Sequence, residues 1–164
     1  MAPEQYRAMQ TRTMSNSTSH KMSFPADTTW LAKVRQMVLE AAGAHFSPTQ
    51  ANLIALAVDE AVANIMEHAY DFEREATHND IELELEASPT ALRIVIRDHG
   101  IGFDPREAPD VDVRDHVKKG RKGGLGIFLM RRIMDEITYA FKHGVHNELQ
   151  MVKYVDGKSS KAKS

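Results

Sequence analysis

The chain has 164 residues, of which 42% are hydrophobic and 27% charged, with a formal net charge of −2 and no cysteine. This length fits one domain with a core of useful size. The net charge argues against nucleic acid as a direct partner, because phosphate binding needs clustered Lys and Arg in excess. The absence of cysteine excludes disulfides, thiolate zinc sites and thiol catalysis. No apolar run approaches the ~20 residues of a membrane span, so we expect a cytoplasmic protein that does not enter a membrane.

The N-terminal part of the sequence predicts a tail, a short strand and a helix. Residues 1–21 are polar and show no hydrophobic periodicity, so we expect a flexible tail there. Residues 22–25 suit a short edge strand that a proline closes. Asp27 or Thr28 then caps a first helix, which ends near Gly43.

A capping box starts the second helix, and a hairpin follows it. The segment SPTQ at 47–50 places a cap, a proline at the first helical position and a glutamine at the third. Helical periodicity continues to about Tyr70. Apolar residues alternate with glutamates over 81–86, and they alternate again over 92–96 after a Ser-Pro-Thr turn. This pattern predicts two paired strands, the second of which carries Asp98 at its end.

The C-terminal part predicts a long loop, a helix and two closing strands. Residues 103–123 are rich in charge and lack periodicity, and a loop of this length in a compact domain is usually functional or disordered. A helix is expected from Gly124 to about Glu136, followed by strands at 137–142 and 148–155.

The order of these elements, β-α-α-β-β-loop-α-β-β, predicts an α+β fold. We expect a two-layer sandwich in which a mixed, mostly antiparallel sheet carries helices on one face. One domain at 22–156 would lie between the flexible tail at 1–21 and a flexible basic tail at 157–164.

Polar residues on the second helix form the first candidate site. At 100° per residue, one side of this helix carries Glu60, Asn64, Glu67 and His68. A carboxylate can act as a general base, and a carboxamide oxygen can bind Mg²⁺ when phosphates and waters complete the octahedron. For His68 and Glu67 we favour a structural or solvated role.

Two glycine clusters form the other candidate sites, each with an alternative interpretation. In DHGIG at 98–102, the Asp98 carboxylate can accept the amine of a purine, and the glycines allow close approach; the alternative is a turn after a strand. In GRKGGLG at 120–126, free N–H groups at a helix start favour an anion; the alternative is a solvated basic loop. This second cluster fits neither a Walker A loop nor a dinucleotide-binding fingerprint.

Taken in order, the three segments resemble the N, G1 and G2 boxes of the GHKL superfamily of ATP-binding proteins. The resemblance is carried by DEAVANIMEHAY at 59–70, IRDHGIGFDP at 96–105 and GGLGIFLMRRIMDEI at 123–137. Within that superfamily the chain is similar to the small anti-sigma-factor serine kinases of bacteria, from about residue 22 to 155.

The resemblance implies a role for each matching residue. Glu60 would be the catalytic base, Asn64 would hold Mg²⁺, and Asp98 would bind the adenine amine of ATP. Residues 104–122 would form the ATP lid. The other implied nucleotide-binding residues are Gly100 and Gly102 at the base and sugar, Lys119, Arg121 and Lys122 as candidates for the γ-phosphate, and Gly123, Gly124, Leu125 and Gly126 at the phosphates.

The same resemblance implies a serine/threonine protein kinase that phosphorylates an anti-sigma-factor antagonist and sequesters a sigma factor, acting as a homodimer with ATP and Mg²⁺. The alternative is an ATP-responsive partner-switching module without significant kinase activity. The catalytic domain of a histidine kinase is disfavoured, because the chain offers no helical hairpin with a phosphoacceptor histidine. Related ATPases often carry a threonine near the adenine on the last strands, where this chain has ELQ at 148–150.

Overall fold

The computed structural model describes residues 10–14, 16–68, 80–100, 114, 125–142 and 146–157. Six strands and three α-helices lie within these ranges. In chain order they are β1 (Gln10–Met14), β2 (Ser17–Pro25), α1 (Leu31–Gly43), α2 (Pro48–His68), β3 (Asp80–Ala87), β4 (Ala91–Asp98), α3 (Leu125–Ile133), β5 (Glu136–Lys142) and β6 (His146–Tyr154). None of the helices in this part of the chain is long and apolar enough to cross a bilayer.

All six strands form one sheet in the order β1-β2-β3-β4-β6-β5, and each neighbouring pair is antiparallel. The chain leaves β4 through α3 and enters β5, which runs in the same direction as β4. Because β6 lies between these two strands, the parallel pair that a mixed sheet requires does not form among the described strands. The predicted α+β fold with a largely antiparallel sheet is confirmed.

The N-terminal segment forms strands where the sequence predicts a flexible tail. That prediction is wrong for residues 10–14 and 17–21, which belong to β1 and β2. The strand expected at 22–25 begins earlier, at Ser17, and β1 pairs with its residues 17–21. Within the described residues, 22–25 pair with β3 alone. Backbone pairing, of β1 with β2 and of β2 with β3, holds residues 10–21 in the sheet. Asn16, in the turn, has a φ of 69°, which asparagine tolerates well.

Capping residues precede the first two helices, as the sequence predicts. The Asp27 side chain accepts a hydrogen bond from the Thr29 N–H at 2.9 Å, in the 3₁₀ turn that leads into α1. In the capping box of α2, the Gln50 N–H donates to Ser47 Oγ at 3.2 Å, and the Ser47 N–H donates to Gln50 Oε1 at 3.2 Å. These bonds satisfy N–H groups that a helix start leaves without a partner.

The helices cover one face of the sheet and enclose the core with it. Alternation in β3 and β4 sends every second side chain toward this helix layer. The strand residues that are almost fully buried there are Ile81, Leu83, Leu85, Leu92, Ile94 and Ile96. The opposite face, here termed the open face, carries charged pairs: Arg97 donates to Glu84 at 3.1 Å and to Glu148 at 2.8 Å.

The third helix is shorter than predicted. α3 ends at Ile133, and β5 already begins at Glu136. Between them, the Asp135 carboxylate accepts hydrogen bonds from the Tyr154 N–H at 2.8 Å and from Lys153 Nζ at 3.1 Å. These contacts with the end of β6 turn the chain from helix to strand, and helical periodicity in the sequence does not reveal them.

Candidate functional site

Glu60 and Asn64 lie one turn apart on α2, at the border between its buried and its exposed side. Both residues are half-buried, whereas Val58, Ala61 and Val62 are enclosed in the core. Helical spacing explains this arrangement, because residues three and four apart share a side of the helix. The predicted juxtaposition of a carboxylate and a carboxamide is therefore present. The His68 side chain lies outside the described part of the structure.

The start of α3 packs directly against Glu60. A β-carbon added to Gly126 would overlap Oε2 of the Glu60 carboxylate and would lie 3.3 Å from its Cδ. Only a residue without a side chain allows the first turn of α3 to approach this carboxylate so closely. Leu125 and Gly126 begin the described part of α3, so the first described turn of this helix lies beside Glu60. The structure thus brings the first and third candidate segments together.

Asp98 ends β4 as a buried carboxylate on the side of the sheet that faces the helices. Only 3% of the residue is exposed. Its Oδ1 accepts two hydrogen bonds, from the Gly100 N–H at 2.9 Å and from Asn147 Nδ2 at 3.0 Å. Within the described part of the chain, both hydrogen bonds to this carboxylate end on Oδ1. Oδ2 is therefore the atom that can accept a hydrogen bond from a ligand.

Burial raises the pKa of the Asp98 carboxyl above its usual value of 3.8. The hydrogen bonds from Asn147 and Gly100 oppose this rise, and so does positive charge on His99 and His146. The two imidazole rings meet edge to face, with their centroids 6.4 Å apart. The carboxyl thus lies where its ionisation depends on a few neighbouring groups, which is common at functional sites.

Asn147 is a site residue that the sequence did not predict. The segment HGVHN at 143–147 suggested a turn before the last strand, but β6 begins at His146 and pairs Asn147 with Asp98. The residue is 7% exposed, and its Nδ2 also donates to the Gly100 carbonyl at 2.9 Å. Asparagine is disfavoured in strands. An asparagine at the start of the alternating run of β6 is therefore unusual, and this was the signal in the sequence that could have identified Asn147.

The neighbouring residues of β6 do not contact Asp98. Glu148 accepts from Arg97 Nε at 2.8 Å, and Gln150 accepts from Arg93 at 3.0 Å, both on the open face. Leu149 is buried in the core. The segment ELQ, where related ATPases often carry a threonine, therefore directs no polar side chain toward the Asp98 carboxylate.

Several predicted residues lie outside the described part of the structure. They are Gly102, Lys119, Arg121, Lys122, Gly123 and Gly124. The proposed lid at 104–122 also lies outside it, apart from Arg114. The roles assigned to these positions remain predictions.

Comparisons with known proteins show the family to which the chain belongs. A family model described as a histidine kinase-like ATPase domain matches residues 24–153. The serine-protein kinase RsbW of Staphylococcus epidermidis is 31% identical over 142 residues, covering 82% of this chain and 86% of that protein. RsbW of Listeria monocytogenes is 30% identical over 122 residues, covering 72% of this chain and 74% of that protein.

Among solved structures, the histidine kinase domain of a blue-light activated histidine kinase from Erythrobacter litoralis EL346 is similar, with a TM-score of 0.43 and 16% identity. The match covers 81% of this chain and 62% of that chain. A likeness at this level carries no argument, and the assignment depends on the family model and on the kinases.

The family match contains all three candidate segments, at 59–70, 98–102 and 120–126. It also spans β3 to β6 and the three helices that position them. The resemblance to the GHKL superfamily, and within it to bacterial serine-protein kinases, is thereby confirmed. This chain belongs to the family of histidine kinase-like ATPase domains.

Proposed function

We propose that the chain is an ATP-dependent serine/threonine protein kinase that also acts as an anti-sigma regulatory factor. It phosphorylates an anti-sigma-factor antagonist and sequesters a sigma factor, in the cytoplasm and as a homodimer. The observation that carries the proposal is the contact between Glu60 and the start of α3, because it joins a carboxylate to a helix N-terminus suited to phosphate. Similar proteins named serine-protein kinases support the reaction class.

The adenine end of the site is Asp98. Its Oδ1 is occupied by the Gly100 and Asn147 donors, and its Oδ2 accepts a hydrogen bond from the amine of adenine. Guanine presents a carbonyl oxygen at the equivalent position, which an ionised carboxylate repels. Asp98 therefore favours ATP over GTP.

The phosphate end of the site is the start of α3. Its free N–H groups and the helix dipole favour phosphate oxygens, and Gly126 keeps their approach open. Asn64 offers a carboxamide oxygen of the kind that Mg²⁺ accepts. The described residues contain no group of three or more His, Asp or Glu that could hold a metal ion. We propose that Asn64 would hold Mg²⁺ together with phosphate and water oxygens, and the ion would neutralise phosphate charge.

Glu60 is the proposed catalytic base. Its carboxylate takes the proton of the acceptor hydroxyl while the serine or threonine oxygen forms a bond to the γ-phosphorus and the bond to the β-phosphate oxygen breaks, releasing ADP. Positioning and charge neutralisation supply most of the catalysis in such transfers. Glu60 is well placed for this step because it lies beside both Asn64 and the start of α3.

The second candidate function is an ATP-responsive partner switch without significant kinase activity. The packing of Glu60 against Gly126 favours it to some degree, because this contact also gives the carboxylate a structural role. Glu60 could then couple nucleotide binding to the position of α3 without removing a proton.

The two functions are separated by transfer of phosphate from γ-labelled ATP to a purified anti-sigma-factor antagonist of the same organism. The Glu60→Gln variant keeps the size of the side chain and removes the base, so we expect transfer to fall at least about 100-fold while ATP binding is retained. The control is Glu67→Gln, an exposed position on the same helix, which should leave the rate unchanged.

Full activity in Glu60→Gln would refute the proposed role of this residue. If the wild-type protein binds ATP and releases or captures a partner without transferring phosphate, the partner-switch function holds in place of the kinase.

A further inference from the structure

We propose that Asn147 is a positioning residue, which holds the Asp98 carboxylate in the orientation that recognition of an adenine amine requires. The inference deepens the function proposed above and rests on it. Asn147 contacts Asp98 and Gly100 and does not contact the base itself. The selectivity for adenine then depends on two side chains, Asp98 and Asn147, instead of one.

The geometry of Asn147 supports this role. Its Nδ2 carries two protons, and both have acceptors: Asp98 Oδ1 at 3.0 Å and the Gly100 carbonyl at 2.9 Å. One carboxamide therefore ties the end of β4 to the turn that follows it. Because the Gly100 N–H also donates to Oδ1 at 2.9 Å, the three groups form a closed arrangement that fixes the plane of the carboxylate.

This arrangement leaves one carboxylate oxygen for a ligand. Two donors meet at Oδ1, so Oδ2 is the better placed acceptor. A rotated carboxylate would lose both bonds in a buried position, and leaving buried polar groups unsatisfied is unfavourable. Asn147 thus directs Oδ2 without contacting the base itself.

The same hydrogen bond acts on the ionisation of Asp98. Burial favours the protonated carboxyl, whereas the Asn147 N–H favours the carboxylate and is the largest of the opposing contributions. His99 in the adjoining turn and His146 on β6 act in the same direction when they are protonated. Glu148 lies near His146, with its Oε2 3.6 Å from His146 Nε2, and is the other charged group here on β6. A protonated Asp98 would present an O–H donor to the adenine amine, which is itself a donor, in place of an acceptor oxygen.

Other polar residues of β6 do not provide an equivalent contact. Glu148 and Gln150 face the other side of the sheet, where they accept hydrogen bonds from Arg97 and Arg93. Their alternation with Asn147 along the strand prevents them from reaching Asp98. Gln150 is for this reason a matched control: it is a carboxamide on the same strand, with its own hydrogen bond, on the opposite face.

The test compares the wild-type protein with Asn147→Leu, Asn147→Ser and Gln150→Leu. The first readout is the titration of Asp98 in the nucleotide-free protein, followed through the ¹³Cγ shift of its carboxyl group by NMR. The second is the affinity for ATP and for GTP from pH 5 to 9. Leucine removes both N–H donors of Asn147 at similar side-chain volume. Serine keeps one hydroxyl donor, and this variant replaces the leucine variant in the test if the latter fails to fold.

We expect Asn147→Leu to raise the pKa of Asp98, Asn147→Ser to raise it less, and Gln150→Leu to leave it unchanged. ATP affinity should fall about tenfold in Asn147→Leu at a pH below the pKa that Asp98 has in this variant, and the loss should be smaller above that pKa, where the carboxyl is ionised. The preference for ATP over GTP should narrow at low pH, because a protonated carboxyl can donate to the guanine oxygen.

An unchanged Asp98 titration in Asn147→Leu would overturn the proposal. An affinity loss that is equal at every pH and for both nucleotides would overturn it too, because a loosened β6 alone would produce that result. If the wild-type protein binds no ATP, the proposed function fails, while the titration of Asp98 in the free protein still decides whether Asn147 controls this carboxyl.

Discussion

At the scale of single residues, Asp98 shows that the site works against the stability of the fold. The pKa of its carboxyl is raised in the folded protein, mainly by burial. Folding therefore favours the protonated form; the resulting stability is present below the usual pKa of 3.8 and is lost as the pH rises through the folded pKa. Above that pKa the fold carries an ionised carboxylate that burial disfavours, which is understandable if a ligand needs that charge.

Gly126 gives a prediction at the same scale. Gly126→Ala should weaken ATP binding, because the added methyl group displaces the end of the Glu60 side chain, while the better helix propensity of alanine offsets the cost in stability. Gly43→Ala is the control: it lies at the end of α1, where an added β-carbon meets nothing within 4 Å. This second variant should be as stable as the wild type or slightly more stable, and its ATP affinity should be unchanged. Chemical denaturation and an ATP titration measure both properties, and an unchanged ATP affinity in Gly126→Ala would contradict the close packing of α3 on Glu60.

At the scale of elements, the position of α2 depends on its contact with α1. Arg35 Nη1 donates to Asp59 Oδ2, next to Glu60 in the sequence, while Asp59 Oδ1 is buried and accepts no hydrogen bond in the described part of the chain. Burial raises the pKa of Asp59, and the bond from Arg35 only partly offsets this rise. The link is therefore polar, half-buried and sensitive to the loss of either partner.

We predict that Arg35→Ala lowers the free energy of unfolding at pH 7 by about 1 kcal/mol, a modest value because the Arg35 side chain is partly exposed. The loss should shrink as the pH falls through the pKa of Asp59, since a protonated carboxyl no longer needs the guanidinium. Gln36→Ala, which removes an exposed bond to Glu40, should change stability by less than about 0.5 kcal/mol. Urea denaturation over a series of pH values provides the measurement; a loss that grows toward low pH would rule out this account of the pair.

The elements that the sequence predicts correctly have local causes. The capping box at 47–50 and the alternation in β3 and β4 depend on residues a few positions apart, so their patterns are visible in the sequence. β1 and the first half of β2 have no such pattern; β1 is held by pairing with β2, and β2 is held by pairing with β3. The end of α3 was missed for the same reason, because Asp135 bonds to residues about twenty positions away.

At the scale of the whole molecule, the strand order assembles the site. The insertion of β6 between β4 and β5 places the start of β6 beside the end of β4, so that Asn147 meets Asp98 across 49 positions of sequence. The sequence predicted Glu60, Asn64 and Asp98 as candidates because their segments match the pattern of a known superfamily. It did not pair Asn147 with Asp98, because the register of a strand pair is not written in either strand alone.

The packing of α3 on α2 completes this arrangement. Glu60 belongs to a long helix that the core holds firmly, and Gly126 belongs to the first described turn of a second helix. Because the two helices meet at a glycine, a ligand that binds at the start of α3 also acts on α2. We therefore expect nucleotide binding to stabilise the fold as a whole.

The most direct measurement of the central claim is a calorimetric titration of ATP, with and without Mg²⁺, into the wild-type protein and into Asp98→Asn. The wild-type protein should bind ATP more tightly with Mg²⁺, and ATP at 100 times its Kd should stabilise the fold by about 2.7 kcal/mol, seen as a higher Tm. Asp98→Asn should fold at least as stably without nucleotide and bind no ATP, because an amide N–H₂ would replace the acceptor. Equal binding by both proteins, or no binding by the wild type with Mg²⁺, would contradict the account.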